Sequence, residues 1–205
     1  MNYEQLANSE AVTRTMEALQ ARGIETCVVE HGTDAFAKIK EFVPAGASVM
    51  NGRSLTLERI GFVDYLMSGE HGWNNLHGAI LAEKDPEKQA MLRKQSLLSD
   101  YYLGSVHALA ETGELLIASA TGSQLPHIVF SSPSLIFVVS TKKIVPTLAE
   151  AMHRLETHVF PKEDASMMEK YGVHTSLSKT VIFRGENPML GRKIRMILVN
   201  ENLGF

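Results

Sequence analysis

The chain has 205 residues, 20 Lys and Arg against 23 Asp and Glu, a formal net charge of −3 and one cysteine. That length fits one domain with a proper core and no staples, and the acidic balance argues against a dedicated nucleic-acid binder. A single thiol excludes an intrachain disulfide and a self-contained iron–sulfur cluster, which takes about four.

Glu4 to Arg22 reads as a helix with Val12, Met16 and Leu19 on one face, and Gly23 stands where a C-terminal glycine cap belongs. Ile24 to Glu30 is a strand, and Cys27 inside it reads as inert core in a reducing cytoplasm. Asp34 suits the start of a second helix, with Phe36, Ile39 and Val43 inward. Pro44-Ala-Gly46 ends it. Ala47 to Met50 is a short strand, and a third helix is expected from Leu55 to Met67. This alternation predicts a parallel sheet with helices on its faces. Leu76 to Leu81 reads as a short strand. Pro86 opens a helix expected to reach Leu103.

Val106–Ala110 and Leu115–Ala118 flank Glu111-Thr112-Gly113-Glu114. Two apolar runs around a glycine predict a hairpin. Ser134 to Ser140 is dense enough to be a strand buried on both faces. Pro146 opens a helix with Leu148, Met152, Leu155 and Val159 inward, and a further helix from Lys162 to Tyr171 closes on Gly172. Thr180–Arg184 and Ile194–Val199 are the last strands. No repeat or linker divides residues 1–205, so one domain is expected. The polar start, Met1-Asn-Tyr-Glu, predicts no signal peptide. The longest apolar run, Leu135 to Val139, is too short to span a bilayer.

Three polar clusters stand out. Asn51, Gly52, Arg53 and Ser54 fall between a strand end and a helix, the crevice where open α/β sheets bind ligands. Ser54 is a natural N-cap, and the amides of Leu55, Thr56 and Leu57 would favour an anion, with Arg53 adding charge. The plainer alternative is a turn and a cap. Glu111, Thr112 and Gly113 form the second cluster. In a cleft Glu111 would be a general base or carboxylate nucleophile; at a solvated tip it would only keep the turn soluble. In the third, Thr121, Gly122, Ser123 and Gln124 offer hydroxyls and backbone amides, and read equally as an ordinary loop. Of His153, Glu156 and His158 only the first two stand at a same-face helical spacing, and there is no H-E-x-x-H motif, so no metal site is expected. Neither a G-x-G-x-x-G nor a Walker loop is present.

Several stretches resemble the LUD (lactate utilisation) domain family: Ser105 to Ser119, the loop at Gly122, Pro133 to Val139, Lys143-Ile-Val-Pro-Thr-Leu-Ala-Glu-Ala151, the turn Gly52-Arg-Ser-Leu-Thr-Leu-Glu-Arg-Ile-Gly61 with its Ser54-x-Thr56-Leu57 pattern, and the closing Leu190 to Gly204. The resemblance implies a three-layer α/β/α sandwich with a mostly parallel, Rossmann-like sheet, related to sugar-phosphate isomerases and CoA transferases. It implies a cleft among Asn51 to Ser54, Glu111 to Glu114 and Gly122 to Gln124. Members often carry an arginine just after the Gly122 loop. Here Ser123, Gln124, Leu125 and Pro126 follow, which removes that grip on an anion.

By resemblance the chain would be a bacterial, cytoplasmic subunit or accessory protein of L-lactate oxidation to pyruvate, binding a small anionic metabolite. It would hold no cofactor itself, with iron–sulfur or flavin centres on partner subunits. A homodimer through an exposed apolar helix face is a further expectation. The alternatives are a stand-alone isomerase- or CoA-transferase-like enzyme using Glu111, and a non-catalytic ligand-binding module.

Overall fold

The computed structural model describes residues 1–205, the side chain of Pro188 excepted. Two sheets organise it. The larger has six strands in the order β1 (Ile24–Val29), β10 (Lys193–Val199), β7 (Ser134–Ser140), β4 (Tyr101–Gly104), β2 (Ser48–Asn51) and β3 (Asn74–Asn75), and each of these pairings is parallel. The smaller has four strands, β8 (Ile144–Val145), β5 (Ala108–Ala110), β6 (Leu115–Ser119) and β9 (Lys179–Phe183).

Alternation along β7 explains why it sits at the centre. Leu135, Phe137 and Val139 point into one core, and Ile136 and Val138 into another. A strand with both faces covered must be apolar throughout, as its continuous run predicted. On one face of the large sheet lie α2 (Gly32–Phe42), α3 (Leu55–Arg59) and α4 (Phe62–Ser68), through Ile39, Leu57, Ile60, Phe62 and Leu66. On the other face lie α1 (Ser9–Ala21), through Leu19, and the inner side of the small sheet, through Leu109, Leu115, Ile117 and Phe183. The outer side of the small sheet packs Ala108, Leu116 and Val145 against Ala151 and Leu155 of the chain from α7 (Leu148–Arg154) onward. The result is a three-layer α/β/α fold whose second helical side is shared with a small sheet.

Local signals set most boundaries. Asn8, Ser54 and Thr147 each accept the backbone N–H three residues on, which satisfies an otherwise orphan donor. Gly172 closes α8 (Phe160–Tyr171) in the left-handed conformation, φ 68°.

Several expectations need correction. The first helix begins at Ser9, not Glu4, because Asn8 caps it. The helix expected from Leu55 to Met67 is broken, with Gly61 at φ 78° between α3 and α4. Leu76 to Leu81 is not a strand but most of α5 (Leu76–Ala82). The Asn75 side chain caps it at Gly78, and Ile80 is the residue it buries.

The helix from Pro86 stops at Gln95 as α6, which buries no side chain. A short turn, Ser96–Leu98, leads to β4 in mid-sheet. The Asp100 carboxylate fixes that start by accepting the Ser48 backbone N–H at 2.8 Å and its hydroxyl at 2.7 Å. The helices expected from Pro146 and from Lys162 are one helical run, joined by a wide turn over Leu155–Val159. Among the described residues, no helix is long and apolar enough to cross a membrane.

Candidate functional site

Parallel strands deliver their C-terminal ends to one edge of a sheet, and connections on that edge shape a crevice. Here β2 runs into Gly52–Ser54, β4 into Ser105–His107, and β7 into Thr141–Lys143. The end of β6 and the loop after it, Ala118 to Gln124, form the opposite lip, with Phe160, Glu163 and Met167 of α8 and the Thr175–Leu177 stretch above. Between them is a cavity of about 310 Å³, the size of a small-metabolite site.

Gly52 makes one wall close. A Cβ there would lie 2.6 Å from the Tyr102 hydroxyl and 2.7 Å from Gln124 Oε1. The Tyr102 hydroxyl donates to that same Oε1 at 3.2 Å, and the Gln124 amide donates to Ala118 O at 3.1 Å, which ties β4 to the opposite lip. Burial pushes the Tyr102 phenol up, so it stays a neutral donor.

Lys143 is the most unusual group on the wall. It is 4% exposed. Its Nζ reaches Thr56 Oγ1 at 3.2 Å, Ser105 Oγ at 3.1 Å and the Val106 carbonyl at 3.1 Å. All three are neutral. Burial holds its pKa well below the ordinary lysine value, and Arg154, Lys142 and Arg59 push the same way.

The neighbouring Lys142 differs, since Glu4 takes it up at 2.9 Å with Asn202 and the Gly204 carbonyl. Burial opposes the ionisation of Glu4, but bonds from Lys162 and Lys142 outweigh it and bring its pKa to about 2.

His107 lies beside Lys143. The Ala118 backbone N–H donates to its Nδ1 at 3.1 Å, so the neutral ring carries its proton on Nε2. Burial, with Lys143 and Arg154 adding to it, lowers its pKa to about 3. Arg154 is fully buried and donates Nη1 to the His107 carbonyl, while Nε and Nη2 meet no hydrogen-bond partner among the described residues. Glu163 is the one acidic side chain among the described cavity-lining residues, and Arg53 takes it in an ion pair. Arg53 also donates to Ser166 Oγ at 3.0 Å. That strap ties the β2–α3 turn to α8.

Of the residues singled out in the sequence, Gly52, Arg53, Ser54, Thr56 and Ser123 line this cavity. Asn51 does not. It is 2% exposed, and its Oδ1 meets His77 Nδ1 at 2.8 Å under α5. Gly122 turns at φ 83° beneath the Lys179 side chain, and its neighbours Thr121 and Ser123 face the cavity instead.

Glu111, Thr112 and Gly113 lie outside the cavity lining, against α1. Glu111 accepts from Arg14 at 2.8 Å. Gly113 has φ 93°, and a Cβ there would meet the Arg22 side chain at 2.8 Å. Thr112 gives its carbonyl to Arg22 and its hydroxyl to Glu114. The hairpin was read correctly, but its tip points away from the crevice because the small sheet packs that end on α1. Glu111→Gln is therefore expected to leave ligand binding at the cavity unchanged, and to cost under about 1 kcal/mol for a surface pair. Isothermal calorimetry and urea unfolding check the two halves.

Sequence reasoning missed Lys143, His107 and Glu163 as site residues. A signal for the first existed: Lys142 and Lys143 are charges wedged between a seven-residue buried strand and the apolar pair Ile144-Val145.

A family model described as LUD domain matches residues 12–182. The chain belongs to the LUD domain family. Among curated proteins, none is significantly similar. Of solved structures, a DUF162 family protein from Deinococcus radiodurans is similar with a TM-score of 0.58 at 14% identity, covering 96% of this chain and 100% of that one. At that identity the likeness shows the shared fold. In this LUD domain the cavity therefore sits on the C-terminal edge of a parallel sheet, bounded by Thr56, Ser105, His107 and Lys143.

Proposed function

We propose that this LUD domain serves lactate utilisation, the oxidation of L-lactate to pyruvate, as a subunit or accessory protein. Its cavity would bind a small metabolite with a carboxylate or phosphate group. One observation carries the ligand class. The amine of Lys143 is buried among neutral acceptors, with Arg154, Lys142 and Arg59 adding positive potential, and Arg53 already holds the cavity's one described carboxylate side chain. An amine placed so either stays neutral or takes its counter-charge from what enters. An anionic ligand supplies the missing charge and brings a proton with it. The lactate assignment rests on family membership, which is an analogy and not a mechanism.

With one cysteine and no dinucleotide fingerprint in the chain, iron–sulfur or flavin centres of such a system would sit on partner subunits. The isomerase- or CoA-transferase-like alternative loses its carboxylate, because Glu111 faces α1.

Thermal shift tests the ligand class. At about a hundred times its Kd, a ligand stabilises the fold by ~2.7 kcal/mol, enough for a shift of roughly 5 to 11 °C in a chain of this size. L-lactate or pyruvate is expected to give it. A flat response to lactate, pyruvate, sugar phosphates and CoA esters, with no redox subunit co-purifying and no growth defect on L-lactate after deletion of the gene, would sink the reading.

A further inference from the structure

We propose that Lys143 is a covalent site: its side-chain amine condenses with the carbonyl group of a small 2-oxo acid held in the cavity, forming an imine. The proposal deepens the reading above and rests on it for the anionic half of the ligand.

The geometry supplies what this step needs. The amine must be reachable, and Lys143 lies on the cavity wall while 4% exposed. It must carry a free electron pair. Either protonation state finds hydrogen-bond partners in Thr56 Oγ1, Ser105 Oγ and the Val106 carbonyl, so electrostatics decides between them. No acidic group is within bonding reach among the described residues. Arg154, Lys142 and Arg59 add positive potential at the amine, and Glu4 is committed to Lys142 and Lys162. A buried lysine in cationic company is the activated-amine arrangement that carbonyl chemistry uses.

The step balances without an oxidant. The Nζ electron pair forms the C–N bond, and one amine proton passes to the carbonyl oxygen. The second amine proton follows it, the C–O bond breaks, water leaves, and C=N remains. The Thr56 and Ser105 hydroxyls, 3.2 and 3.1 Å from Nζ, stand where such protons must travel. The imine so formed is neutral, and when it takes a proton from solvent it becomes a cation in a site that the fold leaves uncompensated. The carboxylate of a 2-oxo acid, one bond from the reacting carbon, offsets it. That selects a 2-oxo acid over a simple aldehyde.

Reductive trapping tests this on the intact chain. The protein is incubated with pyruvate and sodium cyanoborohydride at pH 7, then mapped by tandem mass spectrometry. An exposed lysine, with a pKa near ~10.4, is almost wholly protonated there and reacts slowly. The expected result is one lysine adduct, with the mass of pyruvate less water plus two hydrogens, on Lys143. Propanal, which lacks the carboxylate, should label that position at least about tenfold less at equal concentration, the factor that ~1.4 kcal/mol gives. L-lactate should slow the labelling.

Lys143→Arg should abolish the adduct, and because a buried variant can fail to fold, site mapping on the wild type decides the matter. Labelling spread over exposed lysines overturns the proposal. Stabilisation by pyruvate with no adduct also overturns it, while leaving the anion site standing. No stabilisation and no adduct overturns both.

Discussion

Lys143→Met is expected to be more stable than the wild type at pH 7 and to bind no anionic ligand. The two side chains are close in volume, so packing changes little. The amine is the costly part. In the unfolded chain it takes a proton near its ordinary value of 10.5, and in the fold it does so only far below that. A base whose folded pKa is depressed has its full stability above the unfolded pKa. It loses stability as pH falls toward the folded value, because the unfolded chain binds the extra proton. The wild type should therefore gain stability on going from pH 7 toward 10. The variant should lack that part of the slope.

The Thr56 and Ser105 hydroxyls and the Val106 carbonyl lose a partner, but all three residues line the cavity, where water can take its place. Urea unfolding of both proteins at pH 7, 8 and 9 measures the difference directly. Parallel profiles would mean that the Lys143 amine is charged in the fold. A cavity that keeps a destabilising lysine trades stability for chemistry, and the loss of pyruvate binding in the same variant would show the other side of that trade.

The second large effect is acid lability centred on His107. Its pKa falls from 6.5 to about 3 on folding, through burial and then through Lys143 and Arg154. The sign is the same as for Lys143. Stability is complete above pH 6.5 and drains away as pH falls toward 3, at up to about 1.4 kcal/mol per unit and on the order of 4 kcal/mol across the window. His127, buried between Ser99, Ser132 and the Tyr102 ring, has its pKa lowered to about 4 and titrates in the same window. Glu4 enters later, because its folded pKa of about 2 releases stability only between about 4.5 and 2.

His107→Asn places an amide oxygen near the position of Nδ1, where Ala118 N–H needs an acceptor. It should flatten the profile between pH 6 and 4 by about half, leaving the His127 share. Urea midpoints at half-unit steps of pH resolve this. An unchanged slope would show that His107 is protonated in the native cavity.

How far the sequence reached differs from element to element. The apolar run Ser134–Ser140 is the buried central strand, the run to Val199 is its neighbour, and Gly172 ends a helix as read. The turn Gly52–Ser54 was found because a strand running into a capped helix marks the crevice of a parallel sheet, and Ser54 does cap α3. These features depend on periodicity, caps and glycines, which act over a few residues.

Tyr101–Gly104 was hidden in an expected helix. The distinction was not local: α6 buries nothing, and β4 is made a strand by β2 and β7 on either side. Glu111 shows the same limit. Its hairpin was visible, but the direction of the tip depends on α1 reaching it through Arg14 and Arg22, 97 and 90 residues away in sequence.

By itself the sequence determined the alternating α/β architecture, the family and the turn that forms one lip of the cavity. Only the tertiary structure decided which polar groups share that cavity. Lys143 meets Thr56 across 87 residues and Ser105 across 38. Its lowered pKa comes from desolvation and from the charges of Arg154, Lys142 and Arg59, and neither acts until the chain closes.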